Sequence, residues 1–276
     1  MLNDILKCYP SLRHRSMDVL SLIHQLTDLS TAQCMVFENN DPEVWCILKE
    51  QCERLANDYP LAYLQGYVRI NDRSYWVNEQ TLIPRVETEL WLQKLAKFLP
   101  RNQSMQWLEC GTGCGWIAIE MSLVTSWSIT AMERSSDALK VAQLNSAQHQ
   151  ASVHWLHQSW YDDWSMPLLD GVFANPPYIS PNDHHLEGGI RYEPQEALTA
   201  KDNGLSDIKE IIHKAASVLK SGGYLVLEHG YDQKLAVQKL LLERGFKGAM
   251  TWLDERGNDR MTLASWEIDT MNAWRE

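Results

Sequence analysis

The chain has 276 residues, 45% hydrophobic and 22% charged, an ordinary globular balance with length enough for one large domain or for a small and a medium one. With 25 basic against 36 acidic residues the formal charge is −11, which repels a free nucleic-acid backbone unless basic residues cluster locally and so argues against bulk DNA or RNA as substrate. No run of eighteen apolar residues and no secretion-like start is present, Met1 to Pro10 carrying Asp4 and Lys7, so the expectation is a soluble cytoplasmic protein with no membrane partner.

In chain order, residues 1–60 read as a small helical bundle. Met17, Leu20, Ile23 and Leu26 mark one apolar face, and Asp41 stands as an N-cap before Pro42 at the first turn of a second helix that buries Val44, Leu48, Cys52 and Leu55. Residues 61–86 form a linker. Pro60 to Gly66 breaks the helical pattern, and Tyr67 to Val77 alternates around Asn71-Asp72 as a short hairpin would. From Glu87 to Leu99 helical spacing resumes, opening a third region, 87–276.

There the pattern becomes strands alternating with helices: strands at Met105 to Glu109, Ser128 to Glu133, Ser152 to Leu156, Gly171 to Ala174 and Tyr224 to Glu228, with helices at Trp116 to Leu123, Ser136 to Gln148, Asp207 to Leu219 and Gln233 to Arg244. Met250 to Leu253 and Met261 to Trp266 read as an antiparallel pair. Parallel strands need helical crossovers, so the fold class is α/β, a mostly parallel sheet with helices on both faces. The six cysteines, Cys8, Cys34, Cys46, Cys52, Cys110 and Cys114, show no CxxC pairing. They read as reduced thiols, and no metal site is expected.

Two stretches carry chemistry. Glu109 ends the first of these strands, Gly111-Thr112-Gly113-Cys114-Gly115 follows, and a helix begins, the arrangement that lets a backbone approach a ligand at a helix N-terminus. Glu133 ends the next strand, where a carboxylate can take both hydroxyls of a ribose. The ligand therefore contains a nucleoside. The spacing GxGxG does not match the dinucleotide fingerprint, and an acid at position 109 suits a cationic amino-acid tail. S-adenosylmethionine (SAM) has that tail, a ribose and a sulfonium. The second stretch is Asn175-Pro176-Pro177-Tyr178, where two prolines end a strand and leave a stiff ledge. On it Asn175 can accept and donate, the Pro176 carbonyl can accept, and Tyr178 offers a flat face to a planar amide or amino group. The alternative is a plain edge-strand terminator.

These segments resemble the class I SAM-dependent methyltransferases that act on a planar nitrogen. Pro60-Leu61-Ala62-Tyr63-Leu64-Gln65-Gly66, Leu82-Ile83-Pro84-Arg85-Val86-Glu87-Thr88-Glu89, Arg191-Tyr192-Glu193-Pro194 and Leu227-Glu228-His229-Gly230 further resemble the release factor glutamine methyltransferases, over nearly the whole chain. The resemblance implies a Rossmann-like methyltransferase domain behind a helical substrate-recognition domain. It implies that SAM lies over Gly111 to Gly115 with Glu109, Glu133, Ser159, Trp160 and Asn175 around it, Trp160 lying along the adenine. It also implies as substrate the glutamine of the Gly-Gly-Gln loop of class-one peptide chain release factors, held by Asn175, Pro176, Pro177 and Tyr178. Arg191 and Glu193 either bind that protein or fix a loop over the site. Three positions depart from the family pattern, which usually has Asp at 109, Pro at 86 and Asp at 159, and these bear on cofactor affinity more than on reaction type. The rival readings are methylation of a ribosomal-protein glutamine, N6-methylation of an adenine extruded onto Tyr178, and a SAM-binding module without activity.

Overall fold

The computed structural model describes residues 1–36, 41–101 and 103–267. At the front, α1 (Leu2–Cys8), α2 (Ser16–Thr27), α3 (Thr31–Val36) and α4 (Pro42–Ala56) close on one core in which Ile5, Leu12, Leu22, Ile23, Leu48 and Leu55 are buried. Asp41 caps α4 by accepting from the Glu43 N–H at 2.9 Å. In α2 the inward face is Val19, Leu20, Leu22 and Ile23, spaced as neighbours three and four apart on one side of a helix. Met17, which the spacing assigns to that face, is 63% exposed, because the stripe is turned toward Val19 and Leu22.

The hairpin is part of the larger body's core. After α5 (Leu61–Gln65), strands β1 (Tyr67–Ile70) and β2 (Arg73–Trp76) pair antiparallel, with Asn71 in the turn at φ 51, a conformation asparagine tolerates. Ile70, Tyr75 and Val77 are buried in the same cluster as Trp107, Trp116 and Ile117. The Tyr75 hydroxyl donates to the buried Glu120, and Arg73 Nη1 lies 3.1 Å from each Glu120 oxygen.

Behind α6 (Val86–Phe98) come β3 (Gln106–Cys110), α7 (Trp116–Val124), β4 (Ser128–Glu133), α8 (Ser136–His149), β5 (Val153–His157) and β6 (Leu169–Ala174), and then α9 (Lys201–Gly204), α10 (Ser206–Val218), β7 (Leu219–Glu228), α11 (Lys234–Arg244), β8 (Phe246–Leu253) and β9 (Asp259–Trp266). They form one seven-stranded sheet in the order β5-β4-β3-β6-β7-β9-β8. The first five strands in that order run parallel, and β9 is inserted antiparallel between β7 and β8. Apolar clusters cover both faces. At the centre Trp107 stacks on Trp127 with ring centroids 4.8 Å apart, and a Cβ at Gly171 would lie 2.4 Å from the Trp107 ring, so β6 needs a glycine where it passes that indole.

From β3 the chain runs outward to β4 and β5 and then crosses back to β6 on the other side of β3. The carboxyl ends of β3 and β6 therefore splay around a crevice, the place where open α/β sheets bind ligands. Three short 3₁₀ turns, His184–Leu186, Gly188–Tyr192 and Gln195–Ala197, lie between β6 and α9, in a stretch where the sequence pattern gives no element.

Candidate active site

Two cavities meet at the ends of β3 and β6. The larger, about 700 Å³ including its open mouth, is lined by Gly111, Gly113, Glu133, Trp160, Asn175 and Pro177 among others. The smaller, about 360 Å³, is lined by Arg85, Asn175, Pro176, Pro177, Tyr178 and Ile190 among others. Asn175 and Pro177 belong to both walls, so the ledge at the end of β6 divides one cavity from the other.

The floor of the larger cavity is backbone. Gly111 and Thr112 donate to the Met132 carbonyl at 2.9 and 3.1 Å, which ties the turn after β3 to the end of β4. Gly111, at φ +75, carries the Trp160 ring where a Cβ would sit, 2.6 Å away, while Gly113, at φ +55, has no atom within 4 Å of its Cβ position. Both are conformations that side chains disfavour. Glu133, buried at the end of β4, accepts from Gly113 N–H at 2.9 Å through Oε2 and from Ser135 N–H at 2.8 Å through Oε1. A carboxylate oxygen has two lone pairs, so each keeps one for a ligand. Trp160 is pinned by its ring N–H, which donates to Asp207 Oδ1 at 3.1 Å, and Tyr161 donates to the same oxygen at 3.0 Å.

Other residues of this set brace the turn from below. Glu109 is 1% exposed and accepts from Thr112 Oγ1 at 2.5 Å and from the Ala118 N–H. Burial pushes its carboxyl up to about 8, so at neutral pH it is an uncharged support under the helix start; the structure does not bring it to the cavity wall as a counter-ion. Cys114 is buried, with its thiol pushed up to about 12 by desolvation, and its carbonyl accepts from Asn145 Nδ2 at 2.8 Å. Asn145 also exchanges bonds with the Trp76 backbone at 2.7 and 3.0 Å, tying the hairpin to the turn. At Gly115 a Cβ would lie 2.8 Å from that of Ala142, so this glycine serves helix packing. Ser159 is folded into its own turn, its hydroxyl accepting from Tyr161 N–H at 3.2 Å and its N–H donating to Asp162 Oδ2 at 2.8 Å.

On the ledge, Asn175 Nδ2 lies 3.4 Å from Thr88 Oγ1, and Tyr178 donates to Glu228 Oε1 at 3.3 Å. Burial first, and then the neighbouring Glu228 charge, hold the Tyr178 phenol well above its ordinary range, so it stays a neutral donor. Gln233 Nε2 donates to the Tyr178 carbonyl at 3.0 Å, which fixes the far end of the ledge. Glu193 is buried and accepts from Arg85 Nη2 at 2.7 Å and from Ile83 N–H at 2.9 Å. Arg191 donates to the Asn57 carbonyl at 2.8 Å, and Tyr192 reaches the same carbonyl at 3.0 Å. Both sequence candidates therefore hold the 3₁₀ segment, Glu193 against the linker and Arg191 against the front bundle.

Comparison with known proteins agrees with this architecture. Residues 88–190 match the family model of the methyltransferase small domain. The release factor glutamine methyltransferase of Shewanella oneidensis is 35% identical over 81% of this chain and 79% of its own length. That of Haemophilus influenzae is 31% identical over 96% of both chains. This chain belongs to the release factor glutamine methyltransferase family. As a member it is a methyltransferase, and its fold is that of the class I enzymes. A solved methyltransferase from Pyrococcus furiosus superposes with a TM-score of 0.56 at 15% identity, covering 79% of this chain and 99% of that one, a likeness of fold alone.

Sequence reasoning missed four groups that brace the residues lining these cavities: Thr88, Asn145, Asp207 and Gln233. Each acts through a partner at least 31 residues away. Thr88 lies within the Leu82 to Glu89 segment, where nothing in the sequence pairs it with Asn175 or Glu228.

Proposed function

We propose that this methyltransferase takes SAM in the larger cavity and methylates the side-chain amide nitrogen of a glutamine presented in the smaller one. The substrate proposed is the Gly-Gly-Gln loop of class-one peptide chain release factors, which places the work in the cytoplasm; no helix among the described residues is long and apolar enough to cross a membrane. The observation that carries this reading is Asn175 in the wall shared by both cavities. The donor side suits a nucleoside bearing a ribose: Glu133 keeps a lone pair on each oxygen, Gly113 leaves its Cβ space empty, and Trp160 offers a ring fixed by Asp207. Bound there, SAM would supply an electrophilic methyl group on a sulfonium.

An amide nitrogen is a poor nucleophile because its lone pair is delocalised into the carbonyl, and no side chain here is basic enough to deprotonate it. Positioning has to do most of the work, and a well-aligned pair can lower a barrier by up to roughly 7–11 kcal/mol. Asn175 Oδ1 and the Pro176 carbonyl would each accept one amide N–H and hold the nitrogen in line. Tyr178 would pack along the amide plane. Having gained the methyl group, that nitrogen would be cationic and would give its proton to water.

Purified protein with radiolabelled SAM and a class-one release factor tests this. Asn175→Ala should lower kcat by about 10²–10³-fold while calorimetry still detects SAM binding. Label transfer by Asn175→Ala at the wild-type rate would sink the assignment. Transfer to a ribosomal protein, or to nucleic acid with strong salt dependence, would redirect it.

A further inference from the structure

We propose that Thr88 is the residue that sets which end of the Asn175 amide faces the substrate, and that Glu228 in turn sets the polarity of Thr88. This rests on the reading of Asn175 as acceptor for a substrate amide. Glu228 ends β7 and is 1% exposed, and its Oε2 accepts from Thr88 Oγ1 at 2.6 Å. A threonine hydroxyl has one hydrogen, and its donation to Glu228 Oε2 points that hydrogen at Glu228. What Thr88 turns toward Asn175, 3.4 Å away, is lone pairs. Only Nδ2 can donate to them.

Oδ1 is thereby turned away from Thr88. Among the described residues no group donates to it, which leaves it open for an N–H of the substrate. The flipped amide would set Oδ1 against the lone pairs of Thr88 and present Nδ2 hydrogens to the hydrogens of the substrate amide, an opposition at both ends. Glu228 also accepts from Tyr178 through Oε1 at 3.3 Å, so one buried group orients both side chains of the ledge. Thr88 sits in the first turn of α6, the helix that follows the linker, and 87 residues separate it from Asn175. Placing the linker correctly and aiming the acceptor are thus the same structural event.

Thr88→Val keeps the shape and removes the hydroxyl. The expected result is a kcat lower by at least about tenfold, with KM for a class-one release factor and the dissociation constant of SAM each within about twofold of wild type. Thr88→Ser, which restores the hydroxyl, should recover kcat to within about threefold of wild type. A readout independent of activity is the side-chain amide of Asn175 by NMR, assigned by its disappearance in Asn175→Ala. The one Nδ2 proton that Thr88 holds should exchange more slowly with solvent in wild type and Thr88→Ser than in Thr88→Val. Unchanged kcat and unchanged amide signals in Thr88→Val would overturn the relay, as would a Thr88→Ser protein as impaired as Thr88→Val. Amide signals that respond as expected in a protein that transfers no methyl group to release factor would uphold the relay and count against the glutamine substrate. If Thr88→Val does not fold, Glu228→Gln probes the other end: its amide can donate to Thr88 and reverse the relay, and the same two readouts decide.

Discussion

The two walls that meet at Asn175 are built in opposite ways. The floor of the donor wall comes from one β-turn-α-β unit: the turn after β3 bonds to Met132 and Glu133 at the end of the adjacent strand. The ledge wall is assembled from distant pieces, with Thr88 paired to Glu228 across 140 residues and Ile83 to Glu193 across 110. The turn that floors the donor wall is held by local bonds between neighbouring strand ends, the ledge wall by side-chain hydrogen bonds between elements that only the topology brings together. Damage to the donor wall should therefore appear in stability and cofactor affinity, and damage to the ledge wall in turnover and protein-substrate affinity.

The largest effect expected of the donor wall is on stability. Glu109 holds its proton up to about pH 8 in the fold but ionises near its ordinary value of 4.5 when unfolded. Between those values the native state binds more protons than the unfolded state, so stability is full below 4.5 and falls as pH rises toward 8. The slope is at most about 1.4 kcal/mol per pH unit. Glu109→Gln, neutral throughout and still able to accept from Thr112, should flatten this decline and exceed wild type by a few kcal/mol at pH 8. Urea unfolding across that range checks it; a difference independent of pH would remove Glu109 as the source.

Next in size is the floor. At Gly111→Ala the new Cβ would meet the Trp160 ring at 2.6 Å in a backbone at φ +75, so either the ring or the turn must move. SAM affinity should fall by about 100-fold, the αL strain and the displaced ring together amounting to two or three kcal/mol. Calorimetry reads it directly. Wild-type affinity would mean that Trp160 does not form part of the nucleoside wall.

The ledge wall should answer differently. Arg85→Met leaves Glu193, 5% exposed, with the Ile83 N–H but without its cation. The 3₁₀ segment that Glu193 anchors should loosen, raising KM for release factor roughly tenfold while SAM affinity stays within about twofold. If SAM affinity falls in parallel, the two walls are one mechanical unit and the comparison fails.

This division also explains what could be read from the chain alone. Gly111, Gly113 and Glu133 were legible because a glycine-rich turn and an acid at the next strand end are local signals with a fixed geometric meaning. The alternation of strands and helices gave the sheet for the same reason. Asn175 to Tyr178 was legible because two prolines end a strand whatever surrounds them. Glu228 and Thr88 were not, since an acid and a hydroxyl acquire their meaning from each other, and nothing in the sequence pairs them. Arg191 and Glu193 lay between: their charge was visible, but whether it faced a partner or the front bundle depended on Asn57 and Arg85.

The smallest effect concerns position 159, where the family pattern places an aspartate. A simple expectation is that Ser159→Asp restores a missing acceptor for the adenine amino group and strengthens SAM binding by a charge-assisted bond, which would be tenfold or more. The structure argues for less. Ser159 N–H is already held by Asp162, and its hydroxyl by the Tyr161 N–H, so the side chain points into its own turn while Asp207 secures the Trp160 ring. A second carboxylate beside Asp162 adds repulsion that offsets part of any gain. The dissociation constant of SAM for Ser159→Asp should therefore stay within about threefold of wild type. A tenfold tightening would mean that the turn opens toward the ligand, and that the donor wall is less rigid than its backbone bonds require.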